Sequence, residues 1–203
     1  MKRFILPCLA GVCLLAACAT HHPQPAPSSK DSLAGQDSGR TPFFPVADYL
    51  KSEIRRVDSL PVALKLFTTR AGHTDSAFIS VAEFNMLARQ FLSAELEDAS
   101  FEKKFTESSF IDNATGNATF TYSTTDNSLR LQRVDVLTVP GVNANHVKSI
   151  YLEKDRMAGD SAIRQKLYWK GEESLQIVTM VRIKGMDPEE QLISVVWGKS
   201  EDD

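Results

Sequence analysis

The chain has 203 residues and a formal net charge of −3, and 42% of its residues are hydrophobic. This is enough apolar material for one globular domain of ordinary size. The acidic balance, together with the acidic residues Glu201, Asp202 and Asp203 at the end of the sequence, argues against nucleic acid as a partner.

Near the start of the sequence, Lys2 and Arg3 precede an apolar run at residues 4–15. The run is too short to span a bilayer and is typical of a secretory signal peptide. It leads into a leucine, two small residues and a cysteine: Leu15, Ala16, Ala17 and Cys18. This pattern resembles the lipobox of bacterial lipoproteins. The resemblance implies cleavage between Ala17 and Cys18, and acylation of Cys18 by a diacylglycerol and a further chain such as palmitate.

The alternative is an ordinary secretory signal that is cut elsewhere, which would leave Cys18 without a role. On the lipoprotein interpretation, Cys8 and Cys13 leave with the signal, and a disulfide is no longer possible. Loss of Lys2 and Arg3 lowers the net charge to −5. Since no further span of about 20 apolar residues follows, we expect a protein that is anchored to the bilayer and does not cross it.

The residues after Cys18 bear on localisation. Surface-displayed lipoproteins of the Bacteroidota tend to carry an acidic cluster there, whereas this chain has Ala19, Thr20, His21 and His22. Similarity to lipoproteins therefore implies the bacterial envelope, with the outer membrane facing the periplasm as the expected site. Inner-membrane retention is disfavoured, because no Asp follows Cys18 directly.

The composition divides the chain into three parts. We expect a signal peptide at residues 1–17, then a lipidated Cys18 with a disordered tether at residues 18–42, and a single α+β domain at residues 43–203. The tether is predicted because this stretch is rich in Pro, Ser and Gly and has Leu33 as its one large apolar residue.

The domain is predicted to begin with two amphipathic helices separated by a small hairpin. Apolar residues recur at helical spacing over residues 45–58. A hairpin is indicated between residues 62 and 79, with its turn at residues 70–73. Ser80 and Glu83 have the spacing of a capping box, and an apolar stripe after them predicts a helix up to about Asp98.

From residue 104 the apolar period changes to two, which predicts a curved antiparallel meander of about six to seven strands. The candidate strands are residues 104–111, 118–124, 129–137, 146–153, 163–170, 175–183 and 192–197. A phase shift at Gln132 and Arg133 predicts a β-bulge. Val178 and Met180 are apolar on the face opposite Ile177 and Val181, so we expect this strand to be central and covered on both sides.

The sequence offers no catalytic, cofactor-binding or metal-binding constellation. His73 and His146 lie in or beside turns, without further ligands at metal spacing. His21 and His22 are interpreted as part of the tether. The acidic pairs among Glu95, Glu97 and Asp98, and at Glu189 and Glu190, are typical of solvated faces. We expect no cofactor and no metal.

Residues 104–197 loosely resemble small Bacteroidota lipoproteins, and the outline is similar to the outer-membrane lipoprotein receptors, which hold acyl chains inside an incomplete barrel. That similarity implies an apolar ligand. Aromatic residues along the strands would either fill a core or line such a pocket: Phe105, Phe110, Tyr122, Tyr151, Tyr168, Trp169 and Trp197.

Three functional classes remain open. The leading one is a non-catalytic accessory or interaction protein that meets an envelope protein partner through an exposed patch or sheet edge. The alternative is a lipid or apolar-ligand binding module with a pocket between helices and sheet. The third is an unrecognised hydrolase. To separate core from pocket, we predict that Leu87 and Phe91 pack against Ile177 and Val181.

Overall fold

The computed structural model describes residues 43–142 and 145–198. This part of the chain is an α+β unit that contains one open antiparallel sheet of nine strands and four helices. The predicted signal peptide, the lipidation and cleavage residues Ala17 and Cys18, and the tether lie outside the described residues. Within the described residues, no helix is long and apolar enough to cross a bilayer.

The helices are α1 (Val46–Ser59), α2 (Val81–Ala88), α3 (Ala94–Glu97) and α4 (Phe101–Lys104), and a 3₁₀ turn (Arg89–Phe91) continues α2. The strands are β1 (Leu64–Arg70), β2 (His73–Ile79), β3 (Thr106–Ile111), β4 (Ala118–Ser123), β5 (Leu131–Val139), β6 (His146–Ala158), β7 (Ser161–Lys170), β8 (Ser174–Ile183) and β9 (Glu189–Val196). All seven predicted strands of the meander are present, and so is the hairpin.

The strand order is β2-β1-β9-β8-β7-β6-β5-β4-β3, with every pair antiparallel. The hairpin was predicted as a separate small element, and this was wrong. β1 pairs with the last strand of the meander, with Leu66 opposite Val195, so the sheet has nine strands instead of six or seven. Both apolar residues lie on one face of the sheet, so the hairpin packs Leu66 against the buried core that contains Val195. The predicted bulge is confirmed, because the β5–β6 register shifts between Leu131 and Arg133.

Helix α1 packs its apolar stripe into the core. Leu50, Ile54 and Val57 are buried, at the spacing of one helix face. The entry to the helix is fixed by Phe44, whose backbone N–H donates to the hydroxyl oxygen of Tyr122 at 2.9 Å. α1 is therefore held against the β4 side of the sheet at its start.

Helix α2 begins with the predicted capping box, in which Ser80 and Glu83 each bond the other's backbone N–H. Its predicted end near Asp98 was wrong. The chain leaves the α-helical conformation after Ala88, and Leu92 and Ser93 are extended. Tertiary contacts override the helical periodicity of the sequence here. With the break, Phe91 packs against Trp169 in the core, and Glu95 accepts a hydrogen bond from the backbone N–H of Arg130 beside β5.

The helices cover one face of the sheet, the inner face. Phe84 and Phe91 of the α2 segment are fully buried against Trp169, with ring centroids 6.3 and 5.3 Å apart. The core prediction is confirmed for Phe91 and Ile177, which are in the buried cluster, while Leu87 packs against it half-buried. Val181 is half-exposed and does not belong to the cluster, because the sheet extends beyond the helices there.

The opposite, outer face is not covered by any described helix. Val178 and Met180 point to this face and are half-exposed, so the prediction that β8 is covered on both sides was wrong. They are apolar because they pack against neighbours on the same face, such as Leu192, which lies opposite Val178.

Candidate functional site

Strand β6 changes from apolar to cationic along its inner face. Ile150 and Leu152 are fully buried under the helices, and Lys154 and Arg156 follow at the same two-residue spacing. On β7 the residues opposite Leu152, Lys154 and Arg156 are Leu167, Gln165 and Ile163. The inner face therefore becomes polar where the 3₁₀ turn ends and the chain turns away.

A pocket of about 520 Å³ lies at this place. We call it the cationic pocket. Its lining comes from the 3₁₀ turn, the segment after it, and strands β5, β6 and β7: Arg89, Gln90, Leu92, Ser93, Ala94, Glu95, Arg130, Lys154, Arg156 and Gln165. Four cationic side chains and one carboxylate share these walls. Its volume is within the range of small-molecule sites.

Lys154 is the most unusual residue of the pocket. The residue is only 7% exposed, although an ammonium group is among the groups most costly to bury. The Nζ atom donates to the backbone oxygen of Gln90 at 2.5 Å. The pKa of Lys154 is lowered to about 8, chiefly by burial and in smaller part by the positive charge of Arg130, while the negative charge of Glu95 opposes both. The ammonium has three N–H donors, and the described part of the chain supplies one acceptor, which satisfies one of them.

The arginines of the pocket form no ion pair with a carboxylate of the described residues. In residues 43–142 and 145–198, no carboxylate oxygen lies within 4.0 Å of the cationic nitrogens of Arg89, Arg130, Lys154 or Arg156. Other cations of the sheet are paired, as Arg133 is with Asp135 at 2.9 Å and Arg164 is with Asp155 at 2.7 Å. The pocket therefore holds an excess of positive charge in a chain that is acidic as a whole.

Glu95 is the carboxylate of the pocket lining, and both of its oxygens accept hydrogen bonds. Its Oε1 atom accepts from the backbone N–H groups of Arg130 and Leu131 at 2.9 and 3.2 Å, and Oε2 accepts from the hydroxyl of Ser93. Burial raises the pKa of Glu95, but these hydrogen bonds outweigh it and hold the pKa below its usual value. Glu95 thus fixes α3 to the start of β5 as an anion.

The polar backbone around Lys154 is also fixed. The side-chain amide of Gln165 donates from Nε2 to the Oε1 atom of Gln90 at 3.2 Å and to the hydroxyl oxygen of Thr179 at 3.2 Å. Gln90 therefore receives one bond at its backbone oxygen and one at its side chain, from neighbouring strands. This arrangement holds the ammonium at a set position, which is the preorganisation that a binding site requires.

The acidic residues that the sequence singled out have other positions. Glu97 pairs with Lys51 of α1, and Asp98 accepts from Lys104 at 2.5 Å, so both serve local structure. Glu189 and Glu190 are exposed at the start of β9. His73 and His146 are exposed at strand ends. Among the described residues, no three His, Cys, Asp or Glu side chains are grouped to hold a metal ion.

The cationic pocket was not predicted from the sequence. The strand predicted at residues 146–153 ended at Glu153, which left Lys154 and Arg156 outside any predicted strand. In the structure β6 runs to Ala158, because β7 pairs with it up to Ala158 opposite Ser161. The available signal was the continued two-residue alternation from Ile150 through Leu152 to Lys154, which predicts a cation on a buried face.

Comparison with known proteins gave no relative. No protein-family model matches this chain, and no curated protein and no solved structure matches it significantly.

Proposed function

We propose that this protein is a non-catalytic binding protein, held at a bacterial envelope membrane through acylated Cys18, that recognises an anionic group in the cationic pocket. The observation that carries the proposal is Lys154, a buried ammonium with one carbonyl partner and three arginines but no free carboxylate around it. Such a charge is stabilised best by an anion that completes its hydrogen bonds.

A tetrahedral oxyanion suits the pocket better than a single carboxylate. A guanidinium group binds phosphate oxygens with two parallel N–H donors. The pocket lining contains three such groups, from Arg89, Arg130 and Arg156. At pH 7, below its pKa of about 8, Lys154 is mainly protonated and acts as a donor, not as a nucleophile. This favours binding over a hydrolase reaction.

The alternative, an apolar ligand between helices and sheet, has less support. Phe84, Phe91 and Trp169 fill that interface and are all 0% exposed. A ligand there would have to displace these rings at the cost of well-packed contacts. An anionic ligand in the cationic pocket requires no such displacement, because that space is open already.

The binding proposal is tested by calorimetric titration of inorganic phosphate into the full-length chain carrying Cys18→Ser, which keeps the anchor's acyl chains out of the assay. Lys154→Met is volume-conserving and should abolish the binding heat, and Arg156→Gln should weaken binding about tenfold or more. Arg55→Gln removes one exposed cation of α1 and is the matched control. Equal affinity in all four proteins would refute the proposal.

The anchor is tested separately in cells. Cys18→Ser should abolish labelling with radioactive palmitate and move the protein from the membrane to the soluble fraction, since stable anchoring needs about two acyl chains. Labelling that persists in Cys18→Ser would contradict this part of the proposal.

A further inference from the structure

A second concavity of about 360 Å³ lies beside the cationic pocket, and Arg156 lines both. We call it the methionine groove. Its apolar side chains are Met157, Ala162 and Met180, which all lie on the outer face of the sheet. Methionine is flexible and is common at surfaces that accommodate varied apolar ligands. The two concavities thus differ in chemistry and have one cation in common.

The strand pairing explains how they meet. The β5 ladder ends where Leu131 pairs with Lys154, whereas β6 continues to Ala158 with β7 as its sheet neighbour. Arg156 and Met157 therefore lie on a part of β6 with no described strand on the β5 side. Arg156 belongs to the inner face and Met157 to the outer face. A chain-like ligand can pass from one face to the other around this free edge.

The charges of the groove favour an anionic ligand as well. Its one carboxylate, Asp155, accepts from Arg164 at 2.7 and 2.9 Å and is neutralised. Arg156 and Arg182 have no carboxylate within 4.0 Å in the described part of the chain. Both concavities therefore carry unneutralised positive charge, and the groove offers the larger apolar surface.

We propose that the ligand is a single-chain amphiphile with a phosphate head group, whose phosphate occupies the cationic pocket and whose alkyl chain passes Arg156 into the methionine groove. This inference rests on the proposed anion site and adds the class of ligand. The phosphate completes the hydrogen bonds of Lys154, and the chain removes the exposed side chain of Met157 from water.

The test compares three probes on the full-length Cys18→Ser chain: inorganic phosphate, dodecyl phosphate below its micelle threshold, and dodecyl maltoside. Dodecyl phosphate should bind at least about tenfold more tightly than inorganic phosphate, because burial of a few methylenes supplies that factor. Dodecyl maltoside should not bind measurably.

Two double variants locate the alkyl chain. Met157→Gln with Met180→Gln should remove the advantage of dodecyl phosphate and leave the affinity for inorganic phosphate unchanged. The matched control is Met86→Gln with Met186→Gln, which changes two exposed methionines outside the groove and should keep the advantage. Circular dichroism of each variant confirms that the sheet is intact.

The outcomes separate the two proposals. If inorganic phosphate binds and dodecyl phosphate binds no more tightly, the amphiphile inference is wrong and the anion site stands. The inference also fails if dodecyl maltoside binds as well as dodecyl phosphate, or if the alkyl advantage survives in the groove variant. If neither phosphate compound binds, both proposals are wrong.

Discussion

Two regions on the inner face of β6 and β7 have opposite chemistry. In the first, Leu152 and Leu167 face each other, both 0% exposed, under the α2 segment. In the second, about 7 Å further along the strands, Lys154 faces Gln165. The helical layer ends between them, because the chain turns away after the 3₁₀ turn. The extent of the helical cover, more than the sheet itself, therefore separates the apolar core from the cationic pocket.

The largest expected effect lies in the covered region. Phe91→Ala removes a fully buried ring that meets Trp169 edge-on at 5.3 Å. The cavity left behind should lower the free energy of unfolding by about 3–5 kcal/mol. Urea denaturation measures this loss. A loss below about 1 kcal/mol would show that the helix does not pack firmly on the sheet.

A matched pair on β7 tests where the cover ends. Leu167→Ala should cost about 2–5 kcal/mol, because the side chain is fully buried. Ile163→Ala, on the same face four residues earlier, should cost about 1 kcal/mol or less, because Ile163 is half-exposed and lies beyond the helices. Equal losses in denaturant unfolding would remove the distinction between the two regions.

The pocket region should carry a pH-dependent cost. The folded pKa of Lys154, about 8, lies below its ordinary value of 10.5. Between these values the unfolded chain binds more protons, so stability should rise with pH across this window. Below pH 8 the folded protein bears the full penalty, up to about 3 kcal/mol. Lys154→Met should remove this slope.

The measurement is the difference between wild type and Lys154→Met in denaturant unfolding at several pH values. Above pH 10 a second effect enters, because burial raises the pKa of Tyr49 and of Tyr151 to about 12, which makes stability fall with rising pH. Both tyrosines are present in both proteins, so the difference isolates Lys154. A flat difference from pH 7 to 10 would contradict the buried ammonium.

The elements of the fold were largely predictable, because they depend on local periodicity. The two-residue alternation predicted the strands, and the capping box at Ser80 predicted the start of α2. The end of α2 was not predictable in this way. The break at Leu92 depends on contacts distant in sequence, such as the bonds from Glu95 to the backbone at Arg130 and Leu131.

The cationic pocket could not be predicted from the sequence for a related reason. Arg89 and Arg130 are 41 positions apart in the sequence, and only the packing of the α2 segment beside β5 brings them to one pocket. Motifs of His, Cys or paired carboxylates do not reveal this cluster, because its cationic residues follow no characteristic spacing in the sequence. The place of β1 beside β9 is likewise a long-range pairing that no local pattern specifies.

We propose that Lys154 is a buried ammonium whose hydrogen bonds are completed by a bound anion. The most direct test follows the ¹³Cε resonance of Lys154 by NMR as a function of pH, with and without inorganic phosphate. The groups that face it are Arg89, Arg130, Arg156 and Glu95. We predict a pKa of about 8 without phosphate and a higher value with it, because the anion stabilises the charged form. A pKa near 10.5 without phosphate, or one that phosphate does not change, would contradict the account.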